Sequence, residues 1–182
     1  EDLKMIVEQA ARCKKIVAGL LNFARKNQVN HQITDIRELV DHSLGSVIVP
    51  ENIKINVEDK TTNPQATLDI EQMTQVLTNL VKNAIDAMPQ GGEIRILLED
   101  TLGDVIFTIT DTGTGIKEED KTKIFEPFFT TKGIGAGTGL GLATAYGVVK
   151  MHKGQITVES NDDPSRGPTG TSFKIVLPRK KE

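Results

Sequence analysis

From residue 3 to about residue 27, apolar side chains recur at Ile6, Ala10, Cys13, Val17, Leu20 and Ala24, with spacings that alternate between four and three. That period predicts a helix with a heptad seam. Ile16, Leu21 and Phe23 widen the apolar stripe beyond what a two-stranded coil needs, so a helical bundle is the better expectation. A single amphipathic helix cannot bury such a stripe by itself. The pattern therefore favours pairing with another helix or subunit over packing on its own domain.

Residues 27–32, including His31, are polar and read as a linker, after which Asp35 is placed to cap a short helix running to about Leu44. The pattern then becomes mixed. Ile53, Ile55 and Val57 alternate as in a strand, and residues 66–68 offer it a short partner. Asp69 is placed to cap a long helix over residues 70–88, with Glu71 and Gln72 in its first turn and Pro89-Gln90-Gly91-Gly92 ending it. Residues 93–99 and 105–110 read as consecutive antiparallel strands around Leu102-Gly103-Asp104. A short helix is expected over residues 117–124, an apolar helix over 138–152, and a closing hairpin from 154–160 and 171–177. Strands interleaved with helices without regular βαβ alternation predict an α+β sandwich whose helices cover one face of the sheet.

Composition narrows the function. The chain has 182 residues, 37% hydrophobic and 26% charged, which suits one well-buried soluble domain with an appendage. A net charge of −3, no Trp and one Tyr speak against nucleic-acid binding, which relies on clustered cations and stacking aromatics. The basic end Arg179-Lys180-Lys181 reads as a solvated tail. The single Cys13 fits a small core residue in a reducing, cytoplasmic setting. No apolar run approaches the roughly 18 residues that span a bilayer. The chain begins without Met on a helix already under way, so we expect a piece of a longer protein, whose membrane anchoring stays open.

The candidate chemistry lies in three segments. On the 70–88 helix, Asn79, Asn83 and Asp86 fall on one face, at i, i+4 and i+7. A carboxamide oxygen is a neutral, hard ligand of the kind Mg²⁺ accepts alongside waters and phosphate oxygens. Asp111 ends an apolar strand and opens Asp111-Thr112-Gly113-Thr114-Gly115, where a carboxylate can accept from the exocyclic amine of adenine. Gly113 and Gly115 allow close approach of a flat base. Gly137-Thr138-Gly139-Leu140-Gly141-Leu142 leads into a helix whose free amides suit a triphosphate. Its spacing is neither the Rossmann nor the Walker pattern, which disfavours hydride chemistry and a P-loop. Between the glycine turns, Phe125-Glu126-Pro127-Phe128-Phe129-Thr130-Thr131-Lys132 reads as an aromatic anchor. The following segment to Gly137 then serves as a mobile lid, and Lys132 is available to the γ-phosphate.

The order of Asn79-Leu80-Val81-Lys82-Asn83-Ala84-Ile85-Asp86-Ala87, the Asp111 turn, Phe125-Glu126-Pro127-Phe128-Phe129 and the Gly137 string resembles the catalytic ATP-binding domain of bacterial sensor histidine kinases. The likeness runs from about Thr34 to Leu177, and the N-terminal stretch resembles the second helix of their dimerisation hairpin. The resemblance implies the Bergerat fold shared with gyrase, Hsp90 and MutL, and a division at about residue 30 into a partial dimerisation helix and a catalytic domain over 31–182. It also implies a nucleotide site formed by Asn79, Asn83, Asp86, Asp111, Gly113, Gly115, Ile116, Lys132, Gly137, Thr138, Gly139, Leu140, Gly141, Leu142 and Thr171. Within that set Asn83 would hold Mg²⁺, Asn79 would lie near the phosphates, and Asp111 would hold adenine. Further implications are a homodimeric parent and a response regulator receiver domain as partner.

Two positions refine the expectation. ATPases of this fold carry a glutamate where this chain has Asn79, and a carboxamide cannot act as general base toward water. Asp86 stands where relatives often have a basic residue, and a supporting contact to Asn83 or a water is expected of it. None of His31, His42 and His152 precedes an acidic residue as the family's acceptor histidine does, so all three read as structural or solvated. The acceptor is expected on a dimerisation helix outside this chain. The alternatives are an ATP-gated clamp ATPase and an anti-sigma-type serine kinase.

Overall fold

A computed structural model describes residues 29–133 and 137–179. The heptad helix with Cys13, the middle of the expected lid at 134–136, and the terminal Lys180 and Lys181 lie outside the described residues. The elements run β1 (Gln32–Asp35), α1 (Ile36–Gly45), β2 (Ile53–Asp59), β3 (Gln65–Leu68), α2 (Ile70–Asp86), β4 (Gly92–Asp100), β5 (Asp104–Asp111), α3 (Gly141–Met151), β6 (Gln155–Asn161) and β7 (Gly170–Pro178). β1 and β3 form a two-stranded antiparallel sheet, and the larger sheet has the order β2-β4-β5-β7-β6. In it β2 and β4 are parallel and every other pair is antiparallel. This is the expected α+β sandwich.

Alternation sets its layers. Along β5 the side chains of Val105, Phe107, Ile109 and Asp111 are buried while those between them are only half-buried. Ile94, Ile96 and Leu98 of β4 and Phe173, Ile175 and Leu177 of β7 complete the buried face. The apolar stripes of α2 and α3 pack on it, with α1 joining the same core through Ile36, Leu39 and Val40. Asp111 is the last residue of that inward series. Its carboxylate therefore ends up between sheet and helices rather than in solvent.

The caps are where the sequence puts them. Asp35 accepts from the Arg37 amide and Asp69 from the Gln72 amide, each supplying an acceptor to an open helix start. The hairpins β4–β5 and β6–β7 also form as expected. Four expectations need correction. β3 pairs with β1, not with β2, and β1 itself arises from a polar stretch whose Ile33 is 80% exposed. α2 ends at Asp86 rather than Met88, because the Ala87 carbonyl turns to accept from the Thr114 amide of the glycine turn. Residues 117–124 form successive turns, not a helix. In that charged run only Ile124 is buried, which gives a helix no face to pack. α3 begins at Gly141, because Gly139 has a positive φ of 66° that no helix accepts.

Arg179 is a further correction. It is buried, pairs with Asp100 at 2.8 Å, and donates to the carbonyls of Asn63, Gln65 and Thr101. It ties the end of β7 to the β3 loop and the β4–β5 hairpin. Among the described residues no helix is long and apolar enough to cross a membrane.

His152 is also structural. It is buried at the end of α3, where Nδ1 donates to the Val148 carbonyl at 2.8 Å and Nε2 accepts from the Asp69 amide at 3.1 Å. The ring is therefore neutral, and it lies 5.6 Å from the ring of His31. Burial pushes its pKa below the ordinary histidine range, and His31 adds to the shift. The unfolded chain takes up a proton that the folded chain resists. Stability from this residue is thus fully present above the ordinary histidine pKa and is lost as pH falls through it toward the folded value. Thermal unfolding followed from about pH 7.5 down to about 5.5 should show wild type losing stability relative to His152→Gln, by at most about 1.4 kcal/mol per pH unit.

Candidate functional site

The ends of α2 and β5, the β7 start and the loop after residue 123 enclose a cavity of about 620 Å³. Asn83, Asp86, Asp111, Gly115, Ile116, Lys132, Leu142 and Thr171 of the expected set line it. Register accounts for the floor. Asp111 and Thr171 are directly paired across β5 and β7, so carboxylate and hydroxyl rise side by side.

Asp111 is held through one oxygen. Its Oδ1 accepts from the Gly113 amide at 2.8 Å and the Thr171 amide at 3.2 Å, while Oδ2 has no partner among the described residues. Burial pushes its pKa up, and the two backbone amides pull in the opposite direction. A buried carboxylate with one free oxygen facing a cavity is an acceptor waiting for a ligand donor.

Gly115 has φ of 75°, and a Cβ there would stand 2.1 Å from the Asn161 carbonyl oxygen, so the turn closes on β6 only as glycine. The next residue, Ile116, donates its amide to Ser160 Oγ at 2.8 Å. Ser160 in turn donates to the Gly170 carbonyl and lies 2.9 Å from Thr171 Oγ1. Sequence reasoning missed Ser160. It lies within an ordinary alternating strand, and nothing near it in the chain marks its contacts.

At the other end, Asn83 presents a carboxamide with no partner among the described residues, consistent with a ligand to a hard cation whose other positions are filled by water and phosphate. No cluster of three or more His, Cys, Asp or Glu able to hold a metal occurs among the described residues. Such an ion would take most of its remaining ligands from water and the nucleotide. Asn79 does not line the cavity: its amide donates to the Gly141 carbonyl at 3.1 Å, bracing α2 against the start of α3. That start has no side-chain cap, so its first amides are free to meet an anion. Gly137, Thr138, Gly139 and Leu140 form the approach to this helix. Gly139, whose Cβ would stand 2.4 Å from the Phe128 backbone, packs there against the aromatic segment.

The three phenylalanines divide their roles. Phe125 packs on Tyr146 and Phe173 with ring centres 5.3 and 6.4 Å away, and Phe129 lines the cavity. Phe128, expected to anchor with them, is instead 53% exposed with φ of 69°. Lys132 Nζ lies 2.5 Å from Asp86 Oδ2, bridging the loop to the end of α2. Asp86 thus pairs with Lys132 and not with Asn83.

Residues 68–181 match the family described as histidine kinase-, DNA gyrase B-, and HSP90-like ATPase. The chain belongs to this family and is an ATP-binding domain. It is similar to the sensor kinase CckA of Brucella abortus (strain 2308), with 34% identity across 98% of this chain and 20% of that protein. It is also similar to the solved structure of a mycobacterial sensor histidine kinase, MprB, with 32% identity over 84% of this chain and 99% of that one at a TM-score of 0.71. A histidine kinase ThkA, solved in complex with the response regulator protein TrrA, is 28% identical over 97% of this chain and 50% of that chain, with a TM-score of 0.77. The chain spans less than half the length of curated relatives such as CckA.

Proposed function

We propose that this chain is the catalytic part of a sensor histidine kinase, which binds Mg·ATP and offers its γ-phosphate to a histidine on a dimerisation helix. The observation that carries this reading is a single cavity holding two unsatisfied groups, Asp111 Oδ2 at one end and the Asn83 carboxamide at the other. Adenine donates its exocyclic amine to Asp111, with Thr171 and Ile116 beside it. The phosphates lie toward Asn83 and the uncapped start of α3, and Lys132 comes from the loop. Mg²⁺, held by Asn83 and phosphate oxygens, would neutralise phosphate charge when bound.

Positioning does most of the work in phosphoryl transfer. The incoming imidazole nitrogen forms a bond to the γ-phosphorus as the bond from that phosphorus to the β,γ-bridging oxygen breaks. The electron pair leaves with ADP. Asn79 has no proton-accepting group and is engaged with Gly141, so water is poorly activated and ATP persists until the histidine arrives. His152 is buried with both ring nitrogens engaged and so is unsuited as acceptor. A response regulator receiver domain is the natural destination of the phosphate, as the ThkA–TrrA complex suggests for a relative. The parent is proposed to be a homodimer, with this domain in the cytoplasm.

The experiment mixes the protein with a separately produced dimerisation helix bearing the acceptor histidine and γ-labelled ATP. Label should appear on the helix in acid-labile, base-stable form, with little free phosphate from the protein alone. Rapid ATP turnover without transfer would favour the clamp ATPase, and phosphoserine on a partner would favour the serine kinase.

A further inference from the structure

The ion pair between Asp86 and Lys132 joins the two walls of the cavity, and both side chains line it. Asp86 follows Asn83 by one helical turn, so the ammonium is parked at the end of the cavity assigned above to the phosphates. The backbone and stem of Lys132 have neighbours of their own. Its amide donates to Thr130 Oγ1 at 3.2 Å, and a Cβ on Gly137 would lie 3.4 Å from Lys132 Cδ. The charged tip alone is free to choose a partner.

Charge makes that choice consequential. The lining carries Asp86, Asp111, Asp120 and Asp162 against only Lys117 and Lys132 among the described residues. Lys117 follows Ile116 at the base end. Lys132 is therefore the cation at the phosphate end among the described residues, and the Asp86 carboxylate is its partner. The side chains of the pair remain 51% and 34% exposed, and exposed ion pairs contribute little. A terminal phosphate, with more charge and several acceptor oxygens, competes well for the ammonium.

Building on the nucleotide-site reading, we propose that Asp86 is a positioning residue that holds Lys132 at the phosphate end and hands it to the terminal phosphate of a bound triphosphate. The pair then makes the site distinguish ATP from ADP. Binding of ATP exchanges one anion for another on Lys132, whereas ADP leaves the Asp86 pair intact. The carboxylate is thus a built-in competitor that keeps affinity for the triphosphate moderate while keeping the lysine in place.

The test is a double-mutant cycle read by calorimetric titration of the intact protein with Mg·ATP and Mg·ADP. Asp86→Asn should tighten ATP binding about three- to tenfold and change ADP binding less than twofold. Lys132→Met should weaken ATP about tenfold and ADP far less. In the Lys132→Met background the gain from Asp86→Asn should vanish. If that gain persists there, Asp86 acts by repulsion on the phosphates alone and the proposal falls. It also falls if ATP and ADP respond alike, or if Asp86→Asn brings no gain. Lys132→Gln serves as a second variant should the methionine disturb folding, and retained ADP binding reports an intact base site. Failure of the wild-type protein to bind either nucleotide would instead overturn the nucleotide reading itself.

Discussion

Asp111→Asn should reduce affinity for ATP by roughly ten- to a hundredfold while leaving the fold intact, since a hydrogen bond to a charged group is worth about 1.5–3 kcal/mol. The two backbone donors decide how the new side chain sits. Gly113 and Thr171 both point amides at Oδ1, so the asparagine must turn its oxygen to them and its NH₂ toward the cavity. An acceptor becomes a donor at the position where adenine, placed as proposed above, also brings a donor. A purine with an oxygen at that position, such as hypoxanthine, should therefore lose less, and the ATP-to-ITP affinity ratio measured by calorimetry should fall.

The same carboxylate makes binding sensitive to acid. Burial raises its pKa, which means that the charged form is disfavoured where no donor meets it. Stability from this group is present below its unfolded pKa and lost as pH rises through the folded one. A bound amine needs the charged form, so binding releases a proton wherever the site is partly protonated. Affinity for ATP should fall with acidity from a pH at which an ordinary aspartate is still ionised, and Asp111→Asn should abolish that dependence.

Asn83→Ala is expected to have the larger effect on chemistry. It removes the carboxamide oxygen proposed above as the protein's ligand to Mg²⁺, and among the described residues no group of three or more His, Cys, Asp or Glu is placed to hold the ion instead. Metal charge stabilisation is worth several kcal/mol, so phosphotransfer should fall by at least about a hundredfold. ATP affinity should also become nearly independent of Mg²⁺ concentration, which a titration at fixed ATP and rising Mg²⁺ would read. Unchanged Mg²⁺ dependence would place the ion elsewhere.

Local physics made much of this molecule legible in its sequence. Asp35 and Asp69 cap helices because a short acidic side chain before an apolar period has few other uses. Asp111 follows from alternation along β5, and Asn79 and Asn83 follow from helical spacing. What escaped depends on contacts between distant parts of the chain. Ser160 meets Ile116 across 44 positions and Lys132 meets Asp86 across 46, and no local pattern encodes either meeting. β1 is short and polar because only pairing with β3 makes it a strand. Arg179 reads as a tail from its basic neighbours, yet carbonyls and Asp100 from elsewhere in the chain bury it. Asn79 shares a helix face with Asn83 by spacing alone, but its carboxamide donates to the Gly141 carbonyl, a partner 62 positions away that no local pattern encodes.

The most direct measurement is calorimetric titration of Mg·ATP into the folded protein, repeated with Asp111→Asn and Asn83→Ala. Saturable heat at one nucleotide per chain, weakened by both substitutions, is the expected result. Absence of heat from the folded wild type, or equal affinity in all three proteins, would contradict the assignment of this cavity to ATP.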